Sequence, residues 1–243
     1  MPGNIRAETQ DSDKAGQVGP DSYALWRASK LGAITESLEK DLVRNLAGSL
    51  SGKSVLDVGC GDGTLAAEFA RMQAALVVGC DPDPRMIAKA ITQKTAAGSR
   101  ASYLRGRIEH LPFRDQSFDV VTAVTVLCFV EDQSHAVKEM ARVLRLGGRL
   151  VVAGLGRWST WAGSRRIRGW LGDEFWARAR FTTAQDLRIL AELAALHVDQ
   201  VRGGIYYPRS AIAARAMKSL DPLLGRITTF GAAFVAIEAT KPA

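Results

Sequence analysis

The strongest chemical signal in the chain is the turn Gly59-Cys60-Gly61-Asp62-Gly63, which follows the apolar run Val55-Leu56-Asp57-Val58. Closely spaced glycines at a strand end let a ligand approach backbone where a side chain would collide. The spacing is G-x-G-x-G, not the G-x-G-x-x-G that seats a pyrophosphate on a helix N-terminus. An acid, Asp57, also stands inside the strand ahead of the first glycine. A carboxylate there is a poor neighbour for a pyrophosphate and a good one for a cationic amino-acid moiety. Asp81 ends a second apolar run about twenty residues on, where a carboxylate can accept hydrogen bonds from both hydroxyls of a ribose. Turn and acid together point to a nucleoside ligand with a cationic amino-acid end, S-adenosylmethionine (SAM) rather than a dinucleotide.

Other reactive residue types give weaker signals. Cys60, Cys80 and Cys128 lie far apart, in or beside apolar runs, and no pair has the spacing of a metal clip. They read as reduced thiols of a cytoplasmic protein. His110 reads as an exposed loop residue, His135 as part of a first helical turn and His197 as a helix end. Neither a histidine pair nor an acid cluster has metal-ligand spacing, so no metal is expected. No residue stands out as a general base.

These candidates need a scaffold, and the chain supplies one by repetition. Short apolar runs at Ser54–Val58, Ala75–Cys80, Ala101–Arg105, Phe118–Val124 and Arg149–Ala153 alternate with helical patterns. Those patterns begin at Thr64, Asp83 and Ser134, the last ended by Gly147 and Gly148. Asp132 reads as a helix cap. Strand–helix–strand repetition implies a parallel sheet covered on both faces. Ahead of it, residues 21–49 carry helical spacing interrupted near Gly32, and the polar residues 1–20 read as a disordered lead-in.

After Gly154 the rhythm breaks. Residues 156–182 hold Trp158, Trp161, Trp170 and Trp176 beside Arg165, Arg166 and Arg168, and read as an inserted helical lid. A helix at Ala184–Ala195, a strand near Val198–Arg202, a helical stretch at Ala211–Leu220 and a strand at Ala232–Ala239 follow. The formal net charge of +7 permits an anionic partner without requiring one. The Trp/Arg segment is open to three readings: a plain cap with snorkelling arginines, a lid over a hydrophobic acceptor, or an interfacial helix touching an anionic membrane surface. Stacking of RNA bases is the weaker idea, since no RNA-binding module accompanies the tryptophans.

From about Leu50 to Leu155 the sequence resembles the class I SAM-dependent methyltransferases, particularly the small-molecule group with the ubiquinone, menaquinone and biotin-pathway enzymes. The motifs are VLDVGCGDG, VVGCDPDPRMIAKA, GRIEHLPFRDQSFDVV and EMARVLRLGGRLVV. The resemblance implies a Rossmann-like seven-stranded sheet in the order 3-2-1-4-5-7-6. Its last strand would be antiparallel, with helices on both faces and a helical cap insertion. It further implies that Asp57, Gly59, Cys60, Gly61, Gly63 and Thr64 would hold the methionine part of SAM and Asp81 the ribose. Pro82, Met86, Ile108 and Glu109 would surround the adenine, and Thr125 and Val126 would line the methyl-donor end. Arg107 departs from the pattern, standing where many relatives carry an acid for the adenine amino group.

The function expected is methyl transfer to a small hydrophobic or aromatic acceptor, yielding S-adenosylhomocysteine. Tyr23, Trp26, Trp161, Arg166, Tyr206 and Tyr207 are the candidates for acceptor contact. An RNA or protein methyltransferase, or a SAM-binding protein that does not methylate, are the alternatives. Oligomeric state is not legible here.

Overall fold

The computed structural model describes residues 20–243; of the segment 1–20 read above as a disordered lead-in, residues 1–19 lie outside the described residues and Pro20 opens a helix. Two helices open the chain, α1 (Pro20–Ala28) and α2 (Lys30–Ala47). Their break falls at Ser29, which caps α2 by accepting from the Gly32 amide, and not at Gly32 itself. Gly32 is instead where α2 presses on α1: a Cβ there would lie 1.9 Å from the Trp26 carbonyl oxygen.

The alternating middle of the chain gives β1 (Ser54–Val58), α3 (Thr64–Arg71), β2 (Leu76–Asp81), α4 (Pro84–Ala97), β3 (Ser102–Arg105) and β4 (Phe118–Val124). A short 3₁₀ turn at Leu127–Phe129 leads to α5 (Gln133–Val143), which Asp132 caps as expected. Strand β5 (Leu144–Leu155) begins at once, so Gly147 and Gly148 lie inside the strand and do not end the helix. The Lys241 ammonium closes that helix end by donating to the Ala141 and Leu144 carbonyls at 2.7 and 2.9 Å.

The Trp/Arg segment forms α6 (Thr160–Trp170) and α7 (Glu174–Arg178). Its base is pinned where Thr182 N donates to Leu155 O (2.8 Å) and Arg157 N to Thr182 O (2.9 Å). Then come α8 (Ala184–Leu193), β6 (His197–Gly204), α9 (Ala211–Met217), α10 (Asp221–Ile227) and β7 (Phe234–Thr240). His197 therefore opens a strand and does not end a helix. Helix α10, absent from the sequence reading, is short and carries a proline in its first turn.

The seven strands hydrogen-bond in the order β3-β2-β1-β4-β5-β7-β6, as expected. Strand β7 runs antiparallel between β5 and β6, and the remaining pairings are parallel. Alternation along each strand divides the interior into two cores. Leu56, Val121 and Val152 pack on one face with Val137 and Met140 of α5 and Leu187 of α8. Val55, Val120 and Val151 pack on the other with Leu38 and Val43 of α2 and Phe69 of α3. Both faces being covered, the strands read as nearly continuous apolar runs, which makes the buried Asp57 conspicuous. Among the described residues no helix is long and apolar enough to cross a membrane.

Candidate functional site

The site begins where β1 stops. Gly59 and Cys60 both donate their amides to the Cys80 carbonyl, at 2.7 and 3.2 Å, turning the chain across the end of β2. Two glycines of the turn are required sterically. At Gly59, with φ +67°, a Cβ would lie 2.2 Å from a Val126 methyl; at Gly63, with φ +78°, it would meet the Tyr103 ring at 2.6 Å.

Asp57 lies inside the sheet, level with Thr122 of β4. The Thr122 hydroxyl donates to Asp57 Oδ1 at 2.8 Å. Asp57 Oδ2 is buried and takes no hydrogen bond from any described residue. Burial pushes this carboxyl up to about 7, helped by the charge of Asp81 and opposed by the Thr122 hydrogen bond. Asp81, at the end of β2, accepts from the amides of Gly61 and Asp83, both at 2.9 Å. Burial still holds its carboxyl above the ordinary range despite those two donors.

Beside these groups opens a cavity of about 530 Å³. Its wall includes the glycine turn and Asp81, together with Pro82, Met86, Ile108, Glu109, Thr125 and Val126. Arg107 also lines it and ion-pairs with Glu109 at 3.4 Å, so the basic residue in the acid's place is neutralised locally. The rest of the wall comes from α1, α2 and the α6–α7 segment, α1 reaching the glycine turn through the Arg27 bonds to Asp62 and Thr64. Trp26, Arg27, Glu36 and Glu39 contribute from the N-terminal helices; Trp161, Arg165, Arg168 and Trp176 contribute from α6 and α7.

The α6–α7 part of this wall is aromatic and basic. The Arg165 guanidinium lies 5.2 Å from the Trp161 ring centre and 4.7 Å from that of Trp176. Trp161 is fixed by donating its indole N–H to the Tyr207 carbonyl at 2.7 Å, and Arg209 covers the same ring at 5.6 Å. Phe129 and Phe175 face each other with ring centres 4.5 Å apart, extending the apolar wall.

Residues 56–152 match the family described as methyltransferase domain. The ubiquinone biosynthesis O-methyltransferase of Idiomarina loihiensis is 31% identical over 172 residues, covering 68% of this chain and 70% of that protein. The chain belongs to the class I SAM-dependent methyltransferases. SAM is that family's cofactor. The corresponding protein of a Methylobacterium species is 31% identical over 168 residues, 66% of each chain. The methyltransferase GfsG of Streptomyces halstedii is 39% identical over 105 residues, 42% of this chain. The chain thus spans 38% of the Streptomyces protein's length and 66% of the Methylobacterium protein's. A crystal structure of a SAM-dependent methyltransferase from Thermotoga maritima, described as a possible histamine N-methyltransferase, shares the fold. Its TM-score is 0.68 at 23% identity, covering 91% of this chain and 95% of that one.

In this member of the family, the residues expected to hold the cofactor converge on one cavity with a single exception. Gly63 stays out of the lining, because it is packed under Tyr103, whose hydroxyl donates to its carbonyl at 3.0 Å. The acceptor candidates fare unevenly. Trp26 and Trp161 line the cavity. Arg166 does not: it is turned away along α6 and lies over Phe181 at 4.8 Å, while Arg165 and Arg168 face inward. Tyr206 and Tyr207 are also outside the lining. Tyr206 bonds its hydroxyl to the Thr228 carbonyl, and Tyr207 is core, its hydroxyl 3.0 Å from that of Thr35. The side chain of Tyr23 lies outside the described residues. Glu36, Glu39, Phe129, Phe175 and Arg209 were not anticipated. Only the helical spacing of Glu36 and Glu39, one turn apart, hints at a shared face.

Proposed function

We propose that this chain transfers a methyl group from SAM to an oxygen of a small, largely apolar or aromatic acceptor. The observation that carries the reading is the Asp57 carboxylate, buried at the cavity edge with one oxygen unpartnered. A buried acid with an orphaned oxygen fits a ligand that brings its own cationic donor, as the α-ammonium of SAM does. Asp57 and the Gly59–Gly61 backbone would hold the amino-acid end, Asp81 the ribose, and Met86 and Ile108 the adenine faces. When bound, SAM supplies a methyl group on a sulfonium leaving group.

The chain's own work is alignment and exclusion of water. Thr125 and Val126 border the donor end, and the aromatic wall from Trp161 to Phe175 gives an apolar acceptor its contact area. Holding nucleophile and methyl carbon in reach is worth roughly 7 to 11 kcal/mol of the barrier in well-oriented systems. An oxygen acceptor agrees with the names of the Idiomarina and Methylobacterium relatives.

The test is to incubate the pure protein with methyl-labelled SAM and a cell extract, then partition the label between organic solvent, RNA and protein. Label in the organic phase, released by ether-cleaving reagents, supports the reading. Label confined to RNA or protein overturns it.

A further inference from the structure

The methyl-transfer reading leaves the acceptor's proton unassigned, and the cavity lining narrows the choice. None of His110, His135 and His197 lines the cavity. Cys60 lines it, but burial raises its thiol far above the neutral range. The acids on the wall are mostly engaged. Asp62 and Glu36 bond to Arg27, Glu109 to Arg107, Asp83 to Arg85, and Asp81 to two backbone amides. Asp57 is assigned to the cofactor's ammonium.

Glu39 remains. Its carboxylate lines the cavity from α2, with neither a hydrogen bond nor an ion pair to any described residue. One turn away, Glu36 is taken by Arg27 and Lys40. Glu39 shares the cavity wall with Trp161, Trp176 and Phe129 and lies near enough to Arg165 of α6 and to Tyr207 of the loop after β6 for their charges to interact. We propose that Glu39 is the general base of the reaction, accepting the proton of an acceptor hydroxyl on a small ring-bearing molecule held against Trp161, Trp176 and Phe129. This rests on the methyl-transfer reading and deepens it.

The step balances as follows. The acceptor O–H bond breaks and its proton passes to a Glu39 carboxylate oxygen. The pair left on the acceptor oxygen forms the new O–CH₃ bond, and the pair of the broken S–CH₃ bond stays on sulfur, cancelling the sulfonium charge. Glu39 then returns its proton to solvent.

The environment suits that task. Burial raises the Glu39 carboxyl to about 7, opposed by the positive charge of Arg165, raised further by Glu36 and lowered by Lys40. Tyr207, from the loop after β6, feels the Glu39 charge in turn, and Arg27, Arg107, Arg168 and Arg209 are the other cations on the cavity wall. A base with a proton affinity near the working pH combines an available basic form with real driving force.

The experiment compares wild type, Glu39→Gln and Glu39→Asp with phenol, catechol and 4-nitrophenol as acceptors. Affinity for S-adenosylhomocysteine is measured by calorimetry alongside. Glu39→Gln is expected to bind S-adenosylhomocysteine within twofold of wild type. Its kcat/KM should fall about 100-fold or more for phenol and less than tenfold for the more acidic 4-nitrophenol. The wild-type rate should rise with pH through about 7, and Glu39→Asp should recover part of the loss. Independently of turnover, glutamate-selective ¹³C labelling should show one carboxyl titrating near 7 in wild type and missing from Glu39→Gln. Equal losses for phenol and 4-nitrophenol, no loss at all, or no transfer to any of the three despite intact S-adenosylhomocysteine binding would overturn the proposal. Failure of the wild type to bind S-adenosylhomocysteine would instead strike the methyl-transfer reading itself.

Discussion

The Arg27 guanidinium bonds to the Asp62 carboxylate and, at 2.7 Å, to the Thr64 hydroxyl, fastening the first helix to the turn that follows β1. Burial opposes the charge on Asp62, yet hydrogen bonds from Arg27 and Thr64 hold its carboxyl below the ordinary range. Both side chains are nearly enclosed, so removing Arg27 leaves the Asp62 charge with only the Thr64 and Gln93 donors. Arg27→Ala is expected to weaken S-adenosylhomocysteine binding about tenfold, the value of one hydrogen bond to a charged group. Amide exchange in α1 should rise with it. Slow exchange there with unchanged affinity would show that the helix is held by other contacts.

Asp57 makes the binding equilibrium depend on protons. Its folded-state carboxyl is raised to about 7, so near pH 6 most of the free protein carries a proton there. An arriving ammonium favours the ionised form, and the proton must leave. Calorimetry at pH 6 in buffers of different ionisation enthalpy should report net proton release on S-adenosylhomocysteine binding. Affinity should increase as pH rises toward 7 and level off above. Asp57→Asn should bind at least tenfold more weakly and release no proton from this site. Equal release by the variant would place the linked proton elsewhere.

The contact between Gly59 and Val126 invites a double-mutant cycle. Gly59→Ala drives a methyl into Val126 and strains a left-handed backbone position; together these should destabilise by about 2 to 4 kcal/mol. Adding Val126→Ala removes the collision but not the strain, so the pair should couple favourably by about 1 kcal/mol or more in urea unfolding. Additive effects would mean that the turn relaxes away from Val126.

Acid stability has a separate origin at Asp119. Burial would raise its carboxyl, but the amide and hydroxyl of Ser54 and the guanidinium of Arg145 prevail and bring it to about 2. The unfolded value is about 3.9. A depressed folded value contributes stability in full above that figure, and the contribution is lost as pH falls from about 4 toward 2. Asp119→Asn should flatten the urea midpoint over that window while lowering it at pH 7. An unchanged acid limb would refute the assignment.

Sequence reading reached the glycine-turn part of the cavity wall and stopped short of the aromatic part, for a physical reason. The glycine turn, Asp57 and Asp81 are adjacent to strand ends, and parallel pairing of β1 with β2 and β4 fixes where those ends lie. The aromatic part depends on which face a helix turns inward, and an arginine at each of positions 165, 166 and 168 leaves that undecided. Packing against Phe181 takes Arg166, and the inward face falls to Arg165 and Arg168. Tyr206 and Tyr207 fall outside the cavity lining for a similar cause. The buried Asp221 accepts the amides of Ile205 and Tyr206 at 2.9 and 2.8 Å, setting the loop so that Tyr207 turns into the core. Its partner residues lie sixteen and fifteen positions away, beyond any local pattern.

The position of β7 sets an order of assembly on the ribosome. Strands β1 to β5 are all synthesised by residue 155 and can pair with one another as they emerge. Strand β6 has a single neighbour in the sheet, β7, which is translated some thirty residues later at about 5 to 20 residues per second. Until then the loop after β6 has no sheet to hang from, and Tyr207 and Arg209 cannot take their places around Trp161. A nascent chain therefore completes the edge that carries the glycine turn and Asp81 first, and the wall around Trp161 is the last part of the molecule to be built.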